Sequence, residues 1–137
     1  MRVLVDTNVV LDLFLDRVPF ADAAEDVFCL VERSEIEGFL CATTITTVDY
    51  LLCQELPRER AQSILQKLMG LFEIAPVNRS VLERALAGRM TDFEDAVLSE
   101  AAALVSAEVI ITRNQRDFRL SSIPALAPDE FLVQYRG

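Results

Sequence analysis

Short apolar runs alternate along this chain with longer segments in which apolar residues recur every three to four positions. The short runs predict strands at residues 2–6, 38–42, 72–76 and 108–112. The longer ones predict helices near 8–15, 20–35, 44–55, 58–70, 78–87 and 92–105, and residues 124–135 leave room for one more short strand and helix. Strands that alternate with helices predict an α/β fold, a mostly parallel sheet covered by helices. Pro19, Pro57, Pro76 and Pro128 all fall at element starts or in connections, where a missing N–H costs little. No repeat, low-complexity tract or linker interrupts the pattern, so a single domain spanning residues 1–137 is expected.

Composition sharpens this picture. A chain of 137 residues buries roughly two-thirds of its unfolded surface, enough for a real core. Hydrophobic residues make up 52% of it and the mean hydropathy is +0.29, high for a soluble protein. No apolar run approaches the ~20 residues that span a bilayer, so the excess is expected in a core or a protein interface rather than a membrane. Met1 leads straight into a strand, with no basic segment, apolar stretch or cleavage site ahead of it, and the expected location is the cytoplasm. Cys29, Cys41 and Cys53 are odd in number, lie in apolar sequence and lack CxxC spacing, which predicts reduced core residues rather than disulfides or a zinc site.

The chain has no histidine, which excludes Ser-His and Cys-His mechanisms and removes the commonest transition-metal ligand. What remains is carboxylate chemistry, alone or through a hard cation such as Mg²⁺ or Mn²⁺. The net charge of −9 argues against non-specific nucleic-acid binding, which relies on basic surface to displace counterions. The distribution softens that objection. Residues 16–37 hold seven acids against Arg17 and Arg33, a solvated helix face, whereas Arg113, Arg116 and Arg119 cluster around Asp117. Twelve of the thirteen basic residues are arginine, a bias that suits bidentate phosphate contacts and equally fits compositional drift.

Four carboxylates stand out by position. Asp6 ends the first strand and precedes the apolar run 9–15; a carboxylate there points into the crevice where open α/β sheets place ligands, although it is equally well placed to cap the following helix. Asp49 falls within a helical stripe of Ile45, Val48, Leu52 and Leu56, so it is expected to aim at the core and to need a proton, a hydrogen bond or a cation. Asp92 and Asp95 open a small, apolar helix, where capping by Asp92 and a favourable dipole interaction for Asp95 already account for both. Ser99, one turn beyond Asp95, extends a polar strip that could wall a site. Asp117 lies in the polar loop after the fourth strand, where a turn role is the alternative. Thr112 and Asn114 reach the carboxyl end of that strand as Asp6 and Asn8 reach the end of the first. Carboxylates from four elements converge only around positive charge, and one or two divalent cations would supply it in phosphodiester hydrolysis.

Val3-Leu4-Val5-Asp6-Thr7-Asn8-Val9-Val10, Asp92-Phe93-Glu94-Asp95-Ala96 and Ile111-Thr112-Arg113-Asn114-Gln115-Arg116-Asp117-Phe118 resemble, in order and spacing, the three main motifs of PIN-domain ribonucleases. The size is similar to that of VapC-type toxins of toxin-antitoxin pairs. The resemblance implies a three-layer α/β/α PIN-like fold with a central sheet of four to five strands, a Mg²⁺ or Mn²⁺ site and endonucleolytic cleavage of RNA. It maps the family's first, third and fourth acids onto Asp6, Asp95 and Asp117, with Asn8 and Thr112 beside them. The second acid, usually Glu, falls on Asp49, one methylene shorter, so a bridging water can replace direct ligation. Asp6 and Asp95 are the expected ligands, with Asp117 and Asp49 completing the shell and Asp92 a capping residue near it. Arg113 and Arg116 are expected to position the RNA backbone, and Asn114 to bond water or phosphate. The resemblance also implies a homodimer and a cognate antitoxin.

Two rivals stand beside this reading. A catalytically degenerate domain of the same fold would bind a protein partner through its acidic and apolar surfaces. An aspartate-nucleophile phosphatase would explain Asp6 after a strand, but it wants an Asp two residues on and a Lys near the phosphate; position 8 is Asn, and Lys67 lies in a polar helix.

Overall fold

A computed structural model describes residues 1–136. The elements follow as β1 Arg2–Val5, α1 Thr7–Phe14, α2 Ala21–Glu32, β2 Glu37–Cys41, α3 Ala42–Glu55, α4 Arg58–Leu71, β3 Glu73–Ala75, α5 Arg79–Ala87, α6 Phe93–Leu104, β4 Val109–Ile111, a 3-10 turn Gln115–Phe118, β5 Ala125–Leu126 and α7 Pro128–Arg136. The strands form one sheet in the order β3-β2-β1-β4-β5, and every neighbouring pair is parallel. Expected strands and helices are therefore all present, and residues 124–135 do supply a last strand and helix.

Side-chain alternation along the strands builds a core on both faces of the sheet. Val3, Val5, Leu40, Val109 and Ile111 face one cluster, which α1, α2, α3, α4 and α7 cover. Leu4, Phe39, Cys41, Ala75 and Ile110 face the other, covered by α5 and α6. This is the three-layer arrangement. Gly38 in β2 permits a close approach to the covering layer, since a Cβ there would lie 2.8 Å from the Phe72 ring and from Val31.

Helix ends differ from the sequence pattern for an identifiable reason. α2 stops at Glu32, short of the expected residue 35, because Ser34 turns into the left-handed region (φ 59). The Glu35 N–H then reaches back to the Leu30 carbonyl and the Ser34 N–H to Val31. Asp16 and Ser106 close α1 and α6 in the same way. Glycine ordinarily marks such a stop, and none of these three is glycine.

The direction of chain progression reverses between β1 and β4, whose successors lie on opposite sides of the sheet. In open α/β sheets that switch point opens a crevice beyond the carboxyl ends of the two strands. Asp6 and Thr112 are the residues immediately past those ends.

Four of the sequence's local expectations need correction. Cys41 is buried, but Cys29 is only half-buried and Cys53 is exposed; all three are free thiols. No helix among the described residues is long and apolar enough to cross a membrane. The other three corrections, at Asp49, Ser99 and Arg113, concern the site.

Candidate active site

Asp6 keeps an extended backbone (φ −75, ψ 157) and caps α1, its Oδ1 accepting the Thr7 N–H at 2.7 Å. Capping uses only one oxygen. The Thr112 hydroxyl donates to the other, Oδ2, at 2.8 Å, and Asn8 Nδ2 approaches it at 3.4 Å. Asn8 also donates to Thr112 Oγ1 at 3.3 Å and accepts the Arg113 N–H at 3.2 Å, while the Asn114 N–H donates to Thr112 Oγ1 at 3.0 Å. Asp6, Asn8, Thr112 and the Asn114 backbone thus form one network across two strand ends that are themselves joined by the Asp6 N–H on the Ile111 carbonyl.

Asp6 is 8% exposed. Burial pushes its carboxyl above the ordinary range; the bonds from Thr112 and Thr7 pull it back, and the charges of Glu94 and Asp117 push it further up. Asp95, half-buried in the first turn of α6, is raised from 3.8 to about 7, first by burial and then by Asp92, Asp6, Asp117 and Glu94. Asp92 caps α6 by accepting the Asp95 N–H at 2.9 Å. Asp6, Asp95, Asp92 and Asp117 therefore share one negative field. Glu94, which the sequence reading passed over, belongs with them; its signal was its place between Asp92 and Asp95.

Asp49 stands apart. It is half-buried rather than aimed at the core, and its Oδ1 meets the Cys53 thiol at 3.7 Å. The buried stripe of α3 is Thr44, Val48 and Leu52, with Ile45 and Leu56 at its margin. Thr44 is drawn inward because its hydroxyl accepts a bond from the Thr7 hydroxyl at 3.0 Å, which turns Asp49 to the flank. Among the described residues, the charges acting on Asp6 and Asp95 do not include Asp49.

Ser99 is buried but does not wall the carboxylates: its hydroxyl pairs with that of Ser121, tying α6 to the segment after the 3-10 turn. Arg113 is likewise redirected. Its Nε and Nη2 bond both oxygens of Asp12, at 2.5 and 3.0 Å, and its guanidinium lies 4.0 Å over the Phe20 ring. A guanidinium fork committed in this way has little left for a phosphate. Asp12 is 1% exposed, with Arg17 3.7 Å away as a second partner. It too went unremarked in the sequence, where its signal was a lone charge inside the apolar run 9–15. A cavity of about 650 Å³ lies beside this clamp, between Phe20 and Pro128, and none of the site carboxylates lines it. Asn114, Arg116 and Asp117 are exposed, and Asp117 and Arg116 line a cavity of about 220 Å³ with Arg119.

The donor set suits a hard divalent cation: it is anionic, built of oxygens and partly withdrawn from water, and burial together with the neighbouring negative charges raises Asp6 and Asp95. Among the described residues no three such side chains gather closely enough to wrap one ion. Ligation would therefore require side-chain rotation or water in the shell.

The wholly parallel α/β/α sandwich carries carboxylates at its switch point, and the PIN domain family model matches residues 2–116: the chain belongs to the PIN domain family. Among curated proteins it is similar to Ribonuclease VapC1 of Aquifex aeolicus (strain VF5), at 24% identity across 98% of this chain and 95% of that one. Among solved structures it is similar to a toxin-antitoxin complex from Klebsiella pneumoniae, at 26% identity and a TM-score of 0.70, covering 92% of this chain and 97% of that one. VapBC2 from Rickettsia felis, bound to a DNA fragment from its promoter, shares the fold at 14% identity, with a TM-score of 0.72 and coverage of 93% and 98%.

Proposed function

We propose that residues 1–137 form one nuclease domain that hydrolyses phosphodiester bonds within RNA using Mg²⁺ or Mn²⁺, and that it acts in the cytoplasm as the toxin of a toxin-antitoxin pair. The observation that carries this reading is the crowding of carboxylates beyond β1 and β4, where burial first and then the charges of Asp92, Asp6, Asp117 and Glu94 raise Asp95 to about 7. A cation among them offsets the repulsion. Asp6 and Asp95 would hold it, with Asp117 completing the shell and Asp49 reaching it only through water; Glu94 competes for the same place. When bound, the cation supplies Lewis acidity toward water and the scissile phosphate.

The chain's own residues do the positioning. Thr7 and Thr112 hold both oxygens of Asp6 in one orientation. Asp95, raised to about 7, is only partly ionised at neutral pH, and a bound cation would favour its charged form. Asn8 links the end of β1 to the loop after β4, so the two halves of the site are tied to one another. Arg116 and Asn114, both exposed beside Asp117, meet the substrate backbone, and Arg113 serves the loop's geometry instead. The toxin-antitoxin complex from Klebsiella pneumoniae supports an antitoxin as partner, and exposed Leu86 and Val133 offer apolar surface to a second copy or to that partner.

The test is cleavage of total RNA with Mn²⁺, Mg²⁺ or EDTA by wild type, Asp6→Asn and Asp95→Asn purified identically. Metal-dependent cutting lost in both variants is the expected result; cutting retained in both removes the carboxylate mechanism. The absence of three tightly gathered donors favours one second reading, a degenerate domain that only binds protein. It predicts no cutting by wild type and no Mn²⁺-induced rise in melting temperature.

A further inference from the structure

The chain's net charge of −9 opposes approach of a polyanion, so an RNA-cutting site on it needs a local exception. The ion pairs show where that exception lies. Arg2, Arg17, Arg33, Arg79, Arg113 and Arg136 each have a carboxylate within 4.0 Å. Among the described residues Arg58, Arg60, Arg84, Arg89, Arg116 and Arg119 have none, nor any side-chain hydrogen bond, and all six are exposed. Arg58 and Arg60 lie by themselves at the start of α4, but the other four are neighbours. Arg84 and Arg89 line a cavity of about 130 Å³ between the end of α5, α6 and the segment around Ser122. Arg116 and Arg119 line the cavity of about 220 Å³ next to it, and Met90 and Leu120 are common to both. Asp117 lines the second cavity, so the strip ends at the residue whose charge acts on Asp6 and Asp95.

Only Glu100 and Asp117 oppose these four cations among the residues that line the two cavities. An arginine with no internal partner has both edges of its fork available to phosphate oxygens, which it grips bidentately. The Ser99–Ser121 pair anchors the floor, so the loop carrying Arg119 is held against α6.

We propose that this strip, from Arg84 and Arg89 across Arg119 to Arg116, is the track that holds the phosphodiester backbone of single-stranded RNA on one side of the scissile bond. The proposal rests on the nuclease reading for its direction, since the track leads to the carboxylates. An acidic protein segment would suit the charge equally but not the continuity with the site. Each phosphate neutralised on a single strand contributes about 0.7 to the slope of log K against log salt. Loss of two contacts therefore lowers the slope by about 1.4 and weakens binding about 25-fold at 0.1 M salt.

The test is fluorescence anisotropy of a labelled mixed-sequence single-stranded RNA against the full chain in EDTA, where nothing is cut, over a range of salt. R84A/R89A is compared with wild type and with R58A/R60A, two arginines on α4 that also lack an ion pair and carry the same charge change; circular dichroism melts verify folding of each. The expected result is a reduced slope and weakened binding in R84A/R89A alone. Equal weakening in both pairs, unchanged binding in R84A/R89A, or no binding by wild type each overturns the track. Wild type that binds through these arginines yet never cuts with Mn²⁺ refutes the nuclease and leaves the track standing. A wild type that cuts alongside an R84A/R89A that binds and cuts equally well refutes the track and leaves the nuclease.

Discussion

Replacing Asp95 by Asn should stabilise the protein, and by an amount that depends on pH. The folded chain holds the Asp95 proton up to about pH 7, whereas an unfolded chain releases it near 3.8. Between those values unfolding releases a proton, so stability falls as pH rises through the window, and the cost is complete above pH 7. The rise to about 7 sets a ceiling of about 4 kcal/mol at about 1.4 kcal/mol per pH unit. Asp95 is only half-buried, and solvent screening of such a group reduces the ceiling to roughly 1.5–2 kcal/mol. Against this, Asn gives up the attraction of a charged residue to the positive end of α6, worth about 0.5 kcal/mol in the first turn. The net is about 1 kcal/mol in favour of the variant above pH 7, or about 3–5 °C in melting temperature for a domain of this size. Melting by calorimetry or dye fluorescence at pH 4, 6 and 8, in EDTA, measures it. Asp95→Asn should melt with wild type at pH 4 and above it at pH 8. A variant that melts no higher than wild type at pH 8, or whose gain persists undiminished at pH 4, refutes the argument that repulsion and burial load this carboxylate. Mn²⁺ should raise the melting temperature of wild type and do much less for the variant.

Two further perturbations test the scaffold. Asp12→Ala leaves the Arg113 guanidinium partly buried without its carboxylate, which costs about 3–5 kcal/mol; a urea midpoint within 0.5 kcal/mol of wild type would show that the clamp carries no such strength. Gly38→Ala puts a Cβ 2.8 Å from Phe72 and Val31, an overpacking that costs about 1–3 kcal/mol, and paired Gly38→Ala/Phe72→Leu should recover part of it in the same denaturation assay.

Much of the fold was legible because the signals are local. Three apolar residues before Asp6, and again before Thr112, mark strands buried on both faces, and a single residue type at each exit carries the chemistry. Asp92 and Asp95 could be read because capping depends on neighbours a few residues away. Asp49 could not, because an apolar stripe was drawn through Ile45 while the buried position is Thr44, a polar residue whose hydroxyl is satisfied by Thr7. The helix ends at Ser34 and Ser106 were blurred since left-handed serines leave no trace in composition.

Element order, the parallel sandwich, and the presence of Asp6, Asp95 and Asp117 at its site-forming ends were determined by the sequence itself, through periodicity and capping. Which of those side chains face one another was decided only by the tertiary structure. Arg113 binds Asp12 across 101 residues of chain and Ser99 finds Ser121 across 22, while four arginines left without partners line two adjoining cavities. Pairings of this kind depend on how strands are ordered and helices are rolled against the sheet. Those are properties of the packed core as a whole, and a window of sequence one helix long does not contain them.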